Sequence, residues 1–193
     1  LHDLTNSGRS LLQTTVDRLT PLVEDRFLVV TGEAHREAVL GQLTGLPPAA
    51  VLAEPEPRDS MAAIGLAAAV LERRDPEAVM GSFAADHVVT DLDGFAESVR
   101  RAEAAAREGW LATIGIEPTR PATGFGYIHV GAELAGHPGV RHALEFVEKP
   151  SADVAAGFSN RGLLTVAFLY VVAAGLTETG AMALLLSRLL RRP

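Results

Sequence analysis

The stretch AAVLAEPEPRDSMAAIGLAAAVLERRD, residues 49–75, indicates the fold class of this chain. A short apolar run ends at Glu54, and a long Ala-rich segment with apolar residues at helical spacing follows it. This order predicts a buried strand, a proline-containing loop and a helix, with Asp59 or Ser60 as the N-cap of the helix.

Strands and helices alternate outward from this stretch in both directions. Further apolar runs predict strands at residues 26–32, 78–86 and 110–118. Further segments with helical spacing predict helices at residues 10–22, with Ser10 as N-cap, at 33–43 and at about 93–108. Strands that alternate with helices of this length predict an α/β fold, with a mostly parallel sheet flanked by helices.

The pattern changes after Pro121. The runs GFGYIHVG, residues 124–131, and VRHALEFVEKP, residues 140–150, have strand character without a long helix between them. They predict an antiparallel excursion or a lid over the sheet. The segment SADVAAGF, residues 151–158, predicts a further helix.

Composition excludes several classes of function. The chain has 193 residues, a net charge of −7 and no cysteine. Disulfides, thiolate metal sites and a cysteine nucleophile are therefore excluded, and the negative charge argues against a nucleic-acid partner. The first residues lack the apolar core of a secretory signal, so we expect a cytoplasmic protein. The sequence leaves open whether the chain forms a homo-oligomer.

Residues 159–193 differ from the rest because they are strongly apolar and end in an Arg-rich stretch. They allow three interpretations: a buried segment of a soluble protein, a membrane helix, or a tail that is not native to this fold. A membrane helix is not favoured, because Glu178 would then lie within the bilayer at a cost of about 2–4 kcal/mol.

Charged residues follow several of the predicted strands. Glu54, Asp86 and the pair Glu148–Lys149 each stand where a predicted strand ends. Ligands of open parallel sheets bind beyond the carboxyl ends of the strands, so these residues predict a shared crevice. Each of them is also typical of a loop or a helix cap, and that interpretation stays open.

Asp86 is the candidate metal ligand. Mg²⁺ is usually held by one or two carboxylates together with the phosphates of a substrate, and the small residues Ala84 and Ala85 leave room for a phosphate chain. The alternative is that Asp86 is only a turn residue and that His87 packs beneath the loop. Likewise, Gly124 and Gly126 allow a close approach of backbone to a ligand but also suit a simple β-turn.

Four segments in fixed order resemble those of a known family: SLLQTTVDRL, EPEPRDSMAAI, FAADHVV and PTRPATGFGYIHVG…FVEKP. They are similar to the bacterial mannose-1-phosphate guanylyltransferases, which belong to the sugar-nucleotide pyrophosphorylases. The resemblance implies a Rossmann-like nucleotidyltransferase fold. It also implies that GTP and mannose 1-phosphate are the substrates and that GDP-mannose and pyrophosphate are the products.

The resemblance also implies roles for individual residues. Asp86 would bind the Mg²⁺ that bridges the nucleotide and sugar phosphates. The nucleotide would lie along Glu54, Arg58, Asp59 and Ser60, although Asp59 and Ser60 stand where the family usually has Asn-Thr. The sugar phosphate would be bound by Gly126, Glu148 and Lys149, and Lys149 would act in catalysis by steadying the attacking phosphate.

The resemblance covers roughly residues 1–158, which we expect to form a truncated nucleotidyltransferase domain. The family's glycine-rich loop, G-x-G-T-R-L, would precede Leu1, and residues 159–193 do not match the W-N-x-G-[MI]-F strand of the family. These residues are therefore predicted to be an apolar tail of uncertain origin. The alternative function is an inactive remnant that binds a nucleotide or a sugar phosphate weakly.

Overall fold

The computed structural model describes residue 3 and residues 7–56, 58–159 and 164–169, with the backbone alone for 156–159 and 164–169. The α-helices within them are α1 (Leu11–Val23), α2 (Arg36–Gln42), α3 (Asp59–Arg74), α4 (Leu92–Arg107) and α5 (Ala152–Ser159). The strands are β1 (Val29–Gly32), β2 (Val51–Glu54), β3 (Thr113–Ile116), β4 (Gly126–Glu133), β5 (Arg141–Glu148) and β6 (Leu164–Leu169). This arrangement confirms the α/β class.

Strands β1 and β2 form a parallel pair, in register from Val29 opposite Val51 to Gly32 opposite Glu54. Both strands therefore end at the same edge, and the prediction that Glu54 closes a strand is confirmed. It is the only parallel pairing among the described strands, because all the pairs of the second sheet are antiparallel.

Helices cover both faces of this parallel pair. Val30 packs in a cluster with Ala67 and Ala68 of α3. Its neighbour Val29 packs on the opposite face with Leu12 of α1 and residues of α2. Successive side chains of a strand point to opposite faces, so these two valines place the pair as the middle layer of a helix–sheet–helix arrangement.

The helix starts agree with the sequence only in part. Ser10 is the N-cap of α1, as predicted, and it forms a capping box: its hydroxyl accepts from the Gln13 amide at 3.2 Å, and the Gln13 side chain accepts from the Ser10 amide at 3.0 Å. The predicted cap of α3 is wrong. The helix begins at Asp59, and Arg58 holds the N-cap position without a side-chain capping bond.

The prediction of a third strand at residues 78–86 is also wrong, because this segment makes no strand ladder. Its side chains pack all the same: Met80 joins the cluster that contains Val30, and Ala85 joins the cluster that contains Val29. The segment is rich in Ala and also contains Gly and Asp, residues that are depleted in strands. Packing against the helices, rather than backbone pairing, therefore holds it in place. Asp86 lies in a turn after this segment and not at a strand end.

The second sheet has the order β3-β6-β4-β5, and its pairs are antiparallel. The predicted antiparallel excursion is confirmed as the β4–β5 pair, and the predicted helix after Pro150 is confirmed as α5. The strand predicted at residues 110–118 is β3, which pairs antiparallel with β6. Tyr127 of β4 is fully buried and packs with Ala155 of α5.

Part of the segment that the sequence assigns to a tail belongs to this sheet. Residues 164–169 form β6, which lies between β3 and β4 and pairs with both. Residues 160–163 and 170–193 lie outside the described part of the chain. Within the described part, none of the helices combines the length and the apolar character that a membrane crossing requires.

Candidate active site

The predicted nucleotide-binding residues follow one another through the end of β2 and the start of α3. Glu54 is half-buried and pairs across the ladder with Gly32. Arg58, Asp59 and Ser60 are exposed where α3 begins, and Arg58 lies 3.4 Å from the carboxylate of Glu56. These residues thus form a polar rim at the carboxyl edge of the parallel pair, where ligands of open α/β sheets bind.

The predicted sugar-phosphate residues meet at one end of the β4–β5 hairpin. Gly126, the first residue of β4, stands directly opposite Glu148, the last residue of β5. A Cβ atom at Gly126 would lie 2.9 Å from a carboxylate oxygen of Glu148 and would overlap the ring of Phe146. The absence of a side chain at Gly126 therefore lets the Glu148 carboxylate lie against the backbone of β4.

Lys149 has a strained backbone conformation. Its φ angle is 46°, and its amide donates a hydrogen bond to the carbonyl of Phe125 at 3.2 Å. Only Glu24 and Asp59 share a positive φ among the non-glycine residues that the structure describes. Residues other than glycine rarely adopt a positive φ, and such backbone strain clusters at functional sites. Two of these three positions are predicted site residues, which supports the assignment of Lys149 and Asp59.

Asp86 presents its carboxylate to solvent, with 82 % of the side chain exposed. It lies in a two-residue turn with Ala85, and the Nε2 atom of His87 lies 3.5 Å from its carboxylate. Burial lowers the pKa of His87, the Asp86 carboxylate partly offsets this effect, and the nearby Arg18 guanidinium lowers the pKa further. The imidazole is therefore held toward its neutral form beside an exposed acid.

The donor set at Asp86 suits one kind of metal site. Within the described residues there is no group of three or more His, Cys, Asp or Glu side chains that could enclose a metal ion. A closed structural site is therefore not formed by this part of the chain. A single exposed carboxylate fits Mg²⁺, which keeps several waters and completes its octahedron with substrate phosphates.

The structure brings some of the predicted residues together and leaves others apart. Gly126, Glu148 and Lys149 share one hairpin end, whereas Glu54 and Asp59 lie on the strand–loop–helix unit of the parallel pair. The bonds described for each of these groups, and for Asp86, stay within its own segment. The shared crevice of all three groups stays a prediction.

Two contacts beside these residues were missed by reasoning from the sequence. Arg18 of α1 donates to the backbone carbonyl of His87 at 3.1 Å, across 69 positions of sequence. The Tyr127 hydroxyl accepts from the amide of Ala122 at 2.8 Å and donates to its carbonyl at 3.0 Å. Only the spacing of Thr15 and Arg18 on one helix face was visible in the sequence, and it points equally to simple packing. A shallow pocket of about 350 Å³ also opens beside His87, between α1 and the residues that precede α4.

Two solved structures share this fold. A structure described as mannose-1-phosphate geranyltransferase from Thermus thermophilus superimposes with a TM-score of 0.78 at 30 % identity, over 96 % of this chain and 56 % of that one. A structure described as mannose-6-phosphate isomerase from Helicobacter pylori also gives a TM-score of 0.78, at 27 % identity, over 95 % of this chain and 71 % of that one. Both confirm the predicted α/β nucleotidyltransferase fold.

Relatives with similar sequences include a mannose-1-phosphate guanylyltransferase and a xanthan biosynthesis protein. Mannose-1-phosphate guanylyltransferase of Escherichia coli strain K12 is 38 % identical over 159 residues, which are 79 % of this chain and 33 % of that protein. The xanthan biosynthesis protein XanB of Xanthomonas campestris pv. campestris strain B100 is 38 % identical over 155 residues, 79 % of this chain and 32 % of that protein. The chain thus spans about a third of the length of these relatives.

A family comparison covers most of the chain. The family described as nucleotidyl transferase matches residues 3–176. The match includes every predicted site residue and also β6, so it extends past residue 158, where the resemblance noted in the sequence ends. The chain therefore belongs to the nucleotidyl transferase family.

Proposed function

We propose that this chain carries the mannose-1-phosphate guanylyltransferase reaction, in which GTP and mannose 1-phosphate give GDP-mannose and pyrophosphate. The names of relatives at 34–40 % identity support this substrate pair. The observation that carries the proposal is the hairpin end where Gly126 opposes Glu148 beside the strained Lys149. All proposed site residues lie within residues 1–158, and we propose that the nucleotidyltransferase domain formed by these residues also includes β6.

The hairpin end binds the sugar phosphate in this proposal. The Glu148 carboxylate accepts hydrogen bonds from sugar hydroxyls, and Gly126 lets the sugar approach the backbone because it has no side chain. The Lys149 ammonium pairs with the phosphate and steadies the oxygen that attacks. An ammonium group has three rotatable donors, which suits a phosphate whose position shifts slightly as the new oxygen–phosphorus bond forms.

The rim at the end of β2 binds the nucleotide. Glu54 is half-buried at the strand end and can accept from the base or the ribose, while Arg58 supplies a cation at the exposed start of α3. Asp59 and Ser60 contribute a carboxylate and a hydroxyl at the first turn of the helix. Both are short polar groups, and both can hydrogen-bond to a purine edge.

Asp86 would hold Mg²⁺ in this proposal. When bound, the ion neutralises charge on the phosphates of both substrates. The Asp86 carboxylate is exposed and stands on a turn, so it can reach an ion that is coordinated mainly by phosphates. His87 orients this carboxylate from 3.5 Å without adding a second charge while its imidazole is neutral.

The reaction is a single in-line displacement. An oxygen of the sugar phosphate attacks the α-phosphorus of GTP, the new oxygen–phosphorus bond forms, and the bond to the leaving pyrophosphate breaks. No covalent enzyme intermediate is needed. The residues of the chain therefore act by positioning the two substrates and by balancing negative charge, which are the main contributions in phosphoryl-type transfers.

The test is product formation by the chain with GTP, mannose 1-phosphate and Mg²⁺, followed as pyrophosphate release and as GDP-mannose by chromatography. We expect product from the wild-type chain and from Asp75→Asn, which alters an exposed aspartate in a different turn. We expect none from Asp86→Asn. A folded wild-type chain that makes no GDP-mannose but binds GTP in calorimetry would instead support the inactive remnant.

A further inference from the structure

Arg18 joins α1 to the residue that follows Asp86. One guanidinium nitrogen, Nη1, donates to the backbone carbonyl of His87 at 3.1 Å. The other, Nη2, donates to the hydroxyl of Thr15 at 3.0 Å, and Thr15 is itself buried in α1. The Arg18 side chain is thus fixed at its base by its own helix and reaches across to the turn.

The same guanidinium lies over an aromatic ring of α4. Its central carbon is 5.4 Å from the centroid of the Phe95 ring, within the range of a cation–π contact. Phe95 in turn packs edge-to-face against Phe83, with 5.8 Å between the ring centroids. Because Phe83 precedes Asp86 by three residues, this chain of contacts holds the turn from both sides.

Asp86 depends on this support for its direction. Its side chain is largely exposed, and the contact described for its carboxylate is the neighbouring imidazole of His87. The segment before it makes no strand ladder that would fix the backbone. The position of the carboxylate is therefore set by the turn itself, and the turn is held by Arg18 and the two phenylalanine rings.

We propose that Arg18 is a positioning residue, which holds the Ala85–His87 turn so that the Asp86 carboxylate points toward the metal and the substrate phosphates. The role of Asp86 as the metal ligand rests on the proposed function. Arginine suits the task because a planar guanidinium can donate in two directions while its face lies on an aromatic ring. A lysine would keep the charge but would lose the flat stacking face and the two fixed donor directions.

The first measurement is amide hydrogen exchange in the full chain, followed by mass spectrometry over residues 84–89. In Arg18→Gln we expect these amides to exchange about ten- to a hundredfold faster, the range that follows from losing a hydrogen bond to a charged group. Arg18→Lys should lie between Arg18→Gln and the wild type. Arg100→Gln is the matched control, because Arg100 is an exposed arginine of α4 that pairs only loosely with Glu97, at 3.7 Å.

The second measurement is binding of Mn²⁺ in the presence of GTP, followed by electron paramagnetic resonance. Faster exchange at residues 84–89 together with about tenfold or greater weakening of Mn²⁺ binding in Arg18→Gln supports the proposal. Unchanged exchange overturns it. Faster exchange with unchanged Mn²⁺ affinity also overturns it, because Arg18 would then be merely structural.

These outcomes separate the inference from the proposed function. A wild-type chain that binds no Mn²⁺ with GTP contradicts the proposed metal site, and hydrogen exchange alone then decides whether Arg18 holds the turn. If Arg18→Gln does not fold, Arg18→Lys decides by the same two measurements, with a smaller expected change in each.

Discussion

The Tyr127 hydroxyl should be a main support of the loop that leads into the proposed sugar-phosphate site. Tyr127 is fully buried, and its hydroxyl bonds to both backbone groups of Ala122, in the loop between β3 and β4. Tyr127→Phe keeps the ring and removes the hydroxyl alone. We therefore expect the variant to fold with the ring in place and with Ala122 deprived of both bonds.

The size of the effect follows from these two bonds. Leaving a buried donor or acceptor unsatisfied costs about 1–3 kcal/mol, and Ala122 is half-buried, so water can compensate in part. We expect a total loss of about 1–3 kcal/mol. For a chain of this size each kcal/mol shifts the melting temperature by about 2–4 °C, which predicts a decrease between about 2 and 12 °C.

The assay is thermal unfolding of the wild type, of Tyr127→Phe and of the control Thr44→Val, followed by circular dichroism. The control removes an exposed hydroxyl and should leave the melting temperature unchanged. In the proposed reaction, Tyr127→Phe should raise KM for mannose 1-phosphate more than KM for GTP, since Ala122 is four residues before Gly126.

An unchanged melting temperature would contradict this role of the hydroxyl. If Tyr127→Phe melts at the wild-type temperature, the hydroxyl makes no net contribution, and another interaction must hold the loop. A loss that matches the predicted range but leaves both KM values unchanged would confine the role of Tyr127 to stability.

Three further predictions concern the charged residues of the site. Asp86→Asn should abolish Mg²⁺-dependent turnover without lowering the melting temperature, because the amide keeps the shape of this exposed side chain but loses its charge; full activity would make Asp86 only a turn residue. Lys149→Gly should lower turnover while raising the stability to denaturant by about 1 kcal/mol through relief of the positive φ, a gain that Lys149→Met should lack. Burial lowers the pKa of His87 below its usual 6.5 despite the offset by Asp86, so the folded chain binds fewer protons than the unfolded chain just below that pH. Without metal, stability should therefore fall as the pH drops below 6.5, and His87→Gln should flatten this slope in urea titrations; identical slopes would contradict the assignment.

The local structure was predictable where short-range chemistry determines it. Helical spacing and Ser10 as a candidate N-cap identify α1 from sequence alone, and the structure adds the capping box with Gln13. The strand that ends at Glu54 was recognisable as a short apolar run, and the helix that follows it was recognisable from its helical spacing. Two runs of strand character without a long helix between them predict the β4–β5 pair.

Long-range pairing could not be predicted in the same way. The residues 78–86 have the apolar character of a strand, but whether they pair depends on a neighbouring backbone that no local pattern specifies. The insertion of β6 between β3 and β4 is set by contacts between distant segments. The Arg18–His87 bond also joins segments far apart in the chain, and an arginine on a helix face gives no sign of its partner.

The order β3-β6-β4-β5 has a consequence for synthesis of the protein. Strands β3 and β4 are consecutive in sequence, but β6, which fills the space between them, ends at Leu169, 36 residues after the end of β4 at Glu133. At about 5–20 residues per second, a ribosome needs roughly 2 to 7 s to add those residues. Throughout that time the inner edge of β4 has no partner, and an unpaired strand edge is a template for another chain. Polysomes that carry many such nascent chains would therefore favour aggregation of this protein, and slower codons after Glu133 would lengthen the exposure of this edge.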